Sequence, residues 1–577
     1  MARHTVNPGI AAKPEGVFPR NAPSDPGAPH VRSAAVVVDA SHELGAIPRI
    51  WSSIGYDEIN WTYTPAGKTL LKTFGSLGGG GYLVRPHYVF CSGSGFGIPH
   101  WGNGNVYHED ADGNPYYDFT IADATYDAIV GSGNHVLVEL AFTPRELVPE
   151  AADEMELPLS PTVYSTYEHG AWSYPPNDYA KWGGLIEAHV AHCLERYGAD
   201  EVDHWLWELW NEPDIFYWKG TVPQFCELYE VTAAAVRKVL PSAKVGGPTV
   251  TGGGAEFLRE FLAYTSSRDV PLDFVSFHTK GSAFTPWRVY GAIGSDAPEQ
   301  QSPSLNKMLY EIRQLLRITA EVEQYHGLAA IVDECDAGVP AHFGMYDNAN
   351  YGFQNTEYYP VFQVKMFKKI LDLNQIETVQ VAQATSWSFY FEGERYFEGT
   401  RAFATASGIE KPLLNAYRLM DLMGTTRVAA TSDAAYPVSA LDDDLGKCQP
   451  EEVDVLASRR HDGALTVAVW RHADDQYHAD DRPTQVSVEL RGVTAGSRLQ
   501  MTAHRIDHEY SNSHTEWVRQ GAPQDPTPAQ IKAIKARQGL ETFGDPLDIL
   551  VGDDGVGHVT VQLGLPSAVL LVIAEAS

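Results

Sequence analysis

From about residue 48 to 425, short apolar runs alternate with longer segments in which apolar residues recur every three or four positions. That alternation is the mark of strands traded with amphipathic helices, and hence of a parallel α/β sheet or barrel. Eight runs read as strands: Trp51–Gly55, Tyr82–His87, His135–Phe142, His204–Trp210, Ala243–Gly247, Asp273–His278, Ala329–Val332 and Thr385–Phe391. Eight is the number that closes a (β/α)8 TIM barrel. Between them, Tyr179–Tyr197 and Val222–Leu240 carry helical spacing, with Pro223 in a first turn where its missing N–H does little harm.

Beyond about residue 428 the texture changes to short alternating strands, among them Ala464–Trp470, Gln485–Leu490, Leu499–Arg505 and His558–Leu563. Such strands with turn signals between them predict an additional all-β sandwich domain. The β-branched run Ala34–Ala40 reads as a strand that pairs with this domain before the barrel begins. The expected organisation is an extended N-terminal arm over 1–33, a strand joining the sandwich over 34–47, the barrel over 48–427 and the sandwich over 428–577. A chain of 577 residues fits an enzyme domain of about 350 to 400 residues with a smaller companion.

The formal net charge of −32 argues against nucleic acid and anionic lipid as partners. Cys91, Cys193, Cys226, Cys335 and Cys448 are scattered, without the paired spacing of a zinc or redox site. The first residues carry no apolar signal core, and no stretch approaches the roughly 18 apolar residues of a membrane span, so the expectation is a cytoplasmic protein. The acidic group Asp474, Asp475, His478, Asp480 and Asp481 follows no cation-site spacing and reads as a solvated hairpin loop, as does Asp442–Asp444.

The chemistry concentrates at two strand ends. Trp210, Asn211, Glu212 and Pro213 close the apolar run beginning at His204, at the end of a barrel strand where barrel enzymes keep their catalytic groups. The amide is suited to hold a substrate hydroxyl, and the acid to protonate a leaving oxygen. Glycoside hydrolysis needs a second carboxylate, and Ala329–Val332 runs into Asp333, Glu334, Cys335 and Asp336. Arg85 and His87 end the second strand and His278 the sixth, so all three are expected to face the same site.

The segments WELWNEPD (207–214), KVGGPTV (244–250), DFVSFHTKG (273–281) and IVDECDAG (331–338), with YLVRPH (82–87), resemble glycoside hydrolase family 39, which holds β-xylosidases and α-L-iduronidases. The resemblance implies a (β/α)8 barrel with β-sandwich material and a retaining mechanism. It implies Glu212 as acid/base and Glu334 as nucleophile, with Asn211 on the sugar 2-hydroxyl. Arg85, His87, His278, Lys280, Trp387, Glu392 and Arg401 complete the expected substrate-binding set.

Lys280 and Arg401 bear on specificity, since in the iduronidase branch such cations bind a substrate carboxylate. Against an anionic sugar stand Glu392, Glu394 and Glu398 in the neighbouring loop, to which Lys280 and Arg401 are expected to pair, and the acidic chain as a whole. The expected function is therefore a retaining exo-glycosidase acting on a neutral pentoside, of β-D-xyloside or L-arabinofuranoside type, in plant-type oligosaccharides. A uronidase, a disaccharide-releasing arabinofuranosidase and a non-catalytic carbohydrate-binding barrel are the competing readings. No metal or cofactor is expected, and a homo-oligomer is.

Overall fold

The computed structural model describes residues 29–57, 59–91, 106–149, 171–282, 300–339, 344–345, 348–390, 395–441, 443 and 447–576. The arm expected over 1–33 lies outside them as far as residue 28.

Eight parallel strands form the barrel: β1 (Ser53–Tyr56), β2 (Leu83–Pro86), β3 (His135–Leu140), β4 (Leu206–Leu209), β5 (Lys244–Val250), β6 (Phe274–Lys280), β7 (Ala329–Asp336) and β8, in two pieces, Gln380–Ala384 and Ser386–Trp387. Each pairs with its neighbour, and β8 closes the ring. Its first piece lies against β7, while Ser386 and Trp387 pair with Ile54 and Gly55 of β1. At the break, Thr385 donates its N–H to Val332 and accepts from the N–H of Cys335. The strands are buried on both faces, which is why they read as nearly continuous apolar runs.

Two strand limits differ from the sequence reading. β8 starts at Gln380 rather than Thr385, because Gln380 and Gln383 dilute the apolar signal of its first half. β7 continues through Asp336, since Asp333 and Asp336 are wholly buried and paired inside the barrel and the strand does not end where its charges begin. The outer helices follow their sequence signals. Asp178 caps Tyr179–Tyr197, and Thr221 forms a capping box with Gln224 at the start of Val222–Val239, which carries Pro223 in its first turn.

The β domain is one mixed ten-stranded sheet by hydrogen bonding, folded so that its two arms share a core. Ser33–Ala46 is the hinge strand: it pairs antiparallel with Thr426–Ser432 and parallel with Thr484–Arg491. Val36 and Val38 on this strand pack in one cluster with Val455, Val467, Val486 and Leu571. The sandwich leaves are thus joined through a strand drawn from ahead of the barrel.

The sheet is fastened to the barrel helix Tyr358–Leu373 by buried ion pairs. Lys365 Nζ lies 3.0 Å from Asp474, and Lys369 Nζ lies 2.8 Å from Glu452 and 2.7 Å from Asp454. Asp474 therefore does not belong to a solvated loop: it is wholly buried and also accepts from the N–H groups of Leu305 and Gln449. The group dissolves into separate pairings, with Asp480 held by Arg471 at 2.5 Å and His478 by Glu451 at 3.0 Å. Asp442 and Asp444 lie outside the described residues. Among the described residues, no helix is long and apolar enough to cross a membrane.

Candidate active site

The C-terminal ends of the barrel strands gather a cluster of charged residues around Glu212 and Glu334. Directly after β4 the backbone turns sharply: Trp210 and Glu212 have φ of +71° and +44°, a region that L side chains occupy at a cost. The turn is pinned by Glu212 N–H donating to Thr249 O at 3.0 Å and by the Trp210 indole donating to Tyr217 O at 2.9 Å. Glu212 is thereby aimed across the barrel mouth at β7. One oxygen from each of Glu212 and Glu334 and a ring nitrogen of His278 lie within 4.8 Å of one another.

His278, at the end of the apolar part of β6, stands between them. Its Nδ1 lies 2.8 Å from Glu212 and 3.6 Å from Glu334, and its Nε2 lies 3.2 Å from Asp333. Burial works against its positive charge, but Glu334, Asp333 and Glu212 outweigh it and raise its pKa well above the usual histidine range. Its two ring nitrogens thus face acidic side chains on both sides, Glu212 and Asp333.

The two glutamates are driven apart in acidity. Burial first, and then the Glu334 charge, raise the Glu212 carboxyl above its ordinary value against the pull of His278. Burial would raise Glu334 as well, but His278, Lys280 and Arg85 hold it far below the usual carboxylate range. Lys280 Nζ is 2.9 Å and Arg85 Nη1 3.8 Å from the Glu334 oxygens. Two neighbouring carboxyl groups are thus pushed in opposite directions, one raised and one lowered.

Arg85 lies fully buried behind this pair. It is 2.6 Å from Glu208, 3.1 Å from Glu139 and 3.4 Å from Asp333, and donates to Asn211 Oδ1 at 3.2 and 3.3 Å. Asn211 is so oriented that its amide N–H groups point away from the arginine. His87 Nδ1 is 2.6 Å from Glu139. Burial, and then the facing Asp333 charge, push the Glu208 carboxyl up to about 8 despite Arg85. Glu139, Glu208 and the structural part played by Asp333 escaped the sequence reading. The available signal was one charged residue inside each of the apolar strands HVLVEL, LWEL and LVRP, which in a barrel means an ion pair in its interior.

Lys280 and Arg401 both meet Asp336, a wholly buried carboxylate on β7, at 2.7 and 2.5 Å. Asp336 also accepts from Ser386 Oγ at 3.1 Å and from the N–H of Trp387 at 3.1 Å. Glu392 and Glu394 lie outside the described residues. Trp387 lies across β1 with Arg85 5.1 Å from its ring centroid. A Cβ on Gly55 would come within 2.3 Å of that indole, so the glycine is what lets the ring lie there. Asp57, just past β1, joins the group: burial raises its carboxyl, His87 opposes this, and it accepts a hydrogen bond from Trp387.

Glu212, His278 and Glu334 have the donor types of a metal site. The cations Lys280 and Arg85 beside Glu334 oppose a divalent ion there, and the cluster is better matched to a ligand of hydroxyl groups.

The model for glycosyl hydrolases family 39 matches residues 100–540. A β-xylosidase of Geobacillus stearothermophilus is 26% identical over 485 residues, covering 82% of this chain and 84% of that one. The α-L-iduronidase of Homo sapiens is 23% identical over 424 residues, 68% of this chain and 59% of that one. The crystal structure of a monomeric β-xylosidase from Caulobacter crescentus CB15 superposes with a TM-score of 0.71 at 20% identity, covering 94% of this chain and all (100%) of that one, and so shares the fold. With a closed eight-stranded barrel, a β domain threaded by the segment ahead of it, paired carboxylic acids at the strand ends and a match along most of its length, the chain belongs to glycosyl hydrolases family 39 and is a glycosidase.

Proposed function

We propose that the chain is a retaining exo-glycosidase that removes a non-reducing-end pentose, of β-D-xyloside or L-arabinofuranoside type, from plant-type oligosaccharides. The observation that carries the reading is the proximity of the two glutamates, with oxygens within 4.8 Å. Retaining enzymes hold their carboxyl groups about 5 to 5.5 Å apart, whereas inverting enzymes leave about 6.5 to 9.5 Å for a water. Glu334, ionised, attacks the anomeric carbon. Glu212, protonated, gives its proton to the departing oxygen. Once the ester has formed, the charge on Glu334 is gone, the acidity of Glu212 rises, and Glu212 takes a proton from the attacking water.

The remaining residues have distinct tasks. Asn211, fixed by Arg85, donates to the 2-hydroxyl, where a hydrogen bond strengthens as the oxocarbenium-like transition state develops. His278 donates one N–H to Glu212 and leaves that carboxyl's other oxygen for the acidic proton. His87 and Trp387 hold the sugar's far side. Lys280 keeps Glu334 ionised, and Arg401 acts through Asp336 as a positioning group.

The preference for a neutral sugar is supported by Asp336. The two cations that would bind a uronate carboxylate already share a buried aspartate, and Lys280 also faces Glu334. Nitrophenol release from a panel of aryl glycosides (β-D-xyloside, α-L-arabinofuranoside, β-L-arabinopyranoside, α-D-galactoside, α-L-iduronide) tests this, with a pentoside expected to be turned over fastest. Faster turnover of the iduronide overturns the sugar assignment. Asp336→Asn leaves Lys280 and Arg401 short of one counter-charge, so the iduronide-to-pentoside ratio of kcat/KM is expected to rise. The variant is also expected to lose about 3 to 5 kcal/mol of stability, read by denaturant unfolding, because a buried pair has lost one partner.

The acidities set a bell-shaped dependence of kcat/KM on pH. Activity needs Glu334 deprotonated, so the acid limb falls below the ordinary carboxylate range. It needs Glu212 protonated, so the alkaline limb falls above that range. Glu212→Gln is expected to abolish the alkaline limb, and an unchanged profile would remove Glu212 from the role.

A further inference from the structure

The loop that follows Glu212 exposes two large apolar side chains, Ile215 at 38% and Phe216 at 39%, on a rigid support. Ile215 N–H donates to Glu212 O at 3.2 Å, so the pair begins one turn beyond the acid. Asp214 accepts from Thr251 N–H at 2.9 Å and Oγ1 at 2.5 Å, clamping the loop to the end of β5. On the far side the Trp218 indole donates to Thr221 O at 3.0 Å. Well-anchored backbone carrying exposed apolar side chains beside a catalytic cluster is the character of a recognition surface.

Aromatic contacts connect this surface to the sugar site. Trp387 and His87 have ring centroids 5.4 Å apart, His87 and Tyr217 6.4 Å, and Tyr217 and Phe216 4.5 Å. These contacts link Trp387, at the end of β8, to residues that follow Glu212 closely in the chain. A glycosidic oxygen protonated by Glu212 must lie beside that residue, so the group it carries leaves along the same side.

We infer that Ile215 and Phe216 form a leaving-group subsite that takes an aglycone with a flat apolar face. This rests on the assignment of Glu212 as the acid. Two chemistries present such a face, an aryl ring and the C–H side of a second pyranose, and both stack on an exposed aromatic ring.

The test uses the full chain and its Phe216→Ser variant. In saturation-transfer NMR with phenyl 1-thio-β-D-xylopyranoside, which is not hydrolysed, the wild-type protein is expected to saturate aryl and sugar protons alike, and the variant's aryl-to-sugar ratio to fall by about threefold or more. In kinetics, the ratio of kcat/KM for xylobiose over β-xylosyl fluoride, whose leaving group has no face to stack, is expected to fall about tenfold. A fall in either ratio supports the subsite, and which ratio falls names the source of the face. Both ratios unchanged overturns it. Saturation of the sugar protons alone in the wild-type protein overturns the subsite and leaves the pentosidase reading standing, whereas transfer to neither part from this probe and from phenyl 1-thio-α-L-arabinofuranoside overturns both.

Discussion

Glu334→Ala is expected to lower kcat on a nitrophenyl pentoside by about a hundred-thousand-fold or more, with KM little changed, the scale on which removal of a nucleophile acts. Among the described residues, the two aspartates that flank it on β7 are held by other partners. Asp333 faces Arg85 and His278, and Asp336 is held by Lys280 and Arg401 behind the strand. The cavity left by the side chain lies between the cations Lys280 and Arg85, which suits a small anion. Added azide is therefore expected to restore turnover and to yield a glycosyl azide of inverted configuration. A loss below about a hundredfold without azide would mean that another group attacks the sugar.

The second large effect separates the two half-reactions. In Glu212→Ala the loss depends on the leaving group, because a good leaving group needs no proton. For a disaccharide or an alkyl glycoside kcat/KM is expected to fall about a thousandfold, within the range of general acid catalysis. For 2,4-dinitrophenyl pentosides kcat/KM is expected to hold within about tenfold, while kcat and KM fall together because water then attacks the ester without a base. A burst of dinitrophenolate followed by a slow steady state is the stopped-flow signature. Equal losses on every leaving group would contradict an acid/base role for Glu212.

Much of this arrangement was legible in the sequence because barrel strands carry their chemistry at one end. WELWNEP and IVDECD each place a carboxylate where an apolar run stops, and that pattern depends on burial alone. Residues inside the barrel were harder to read. Glu139 and Glu208 lie within apolar strands and find their partner, Arg85, on a strand distant in sequence, so only closure of the ring brings them together. The pairing of Lys280 and Arg401 with Asp336 is of the same kind, joining residues from three separate segments of the chain. Gln380–Ala384 escaped because a short, half-polar strand has no period to detect. The pairing of Ser33–Ala46 with the β domain was readable from its β-branched run, whereas the joining of that domain's strands into one hydrogen-bonded sheet was not.

A double displacement through Glu334 is tested most directly by trapping the intermediate. The protein is treated with a 2-deoxy-2-fluoro pentosyl donor, digested, and its peptides sequenced by mass spectrometry. The expected result is one fluoropentosyl group per chain, in ester linkage to Glu334 and absent from the Glu334→Ala variant. A label on Asp333 or Asp336, or no label from a donor that the protein nonetheless consumes, would contradict the mechanism.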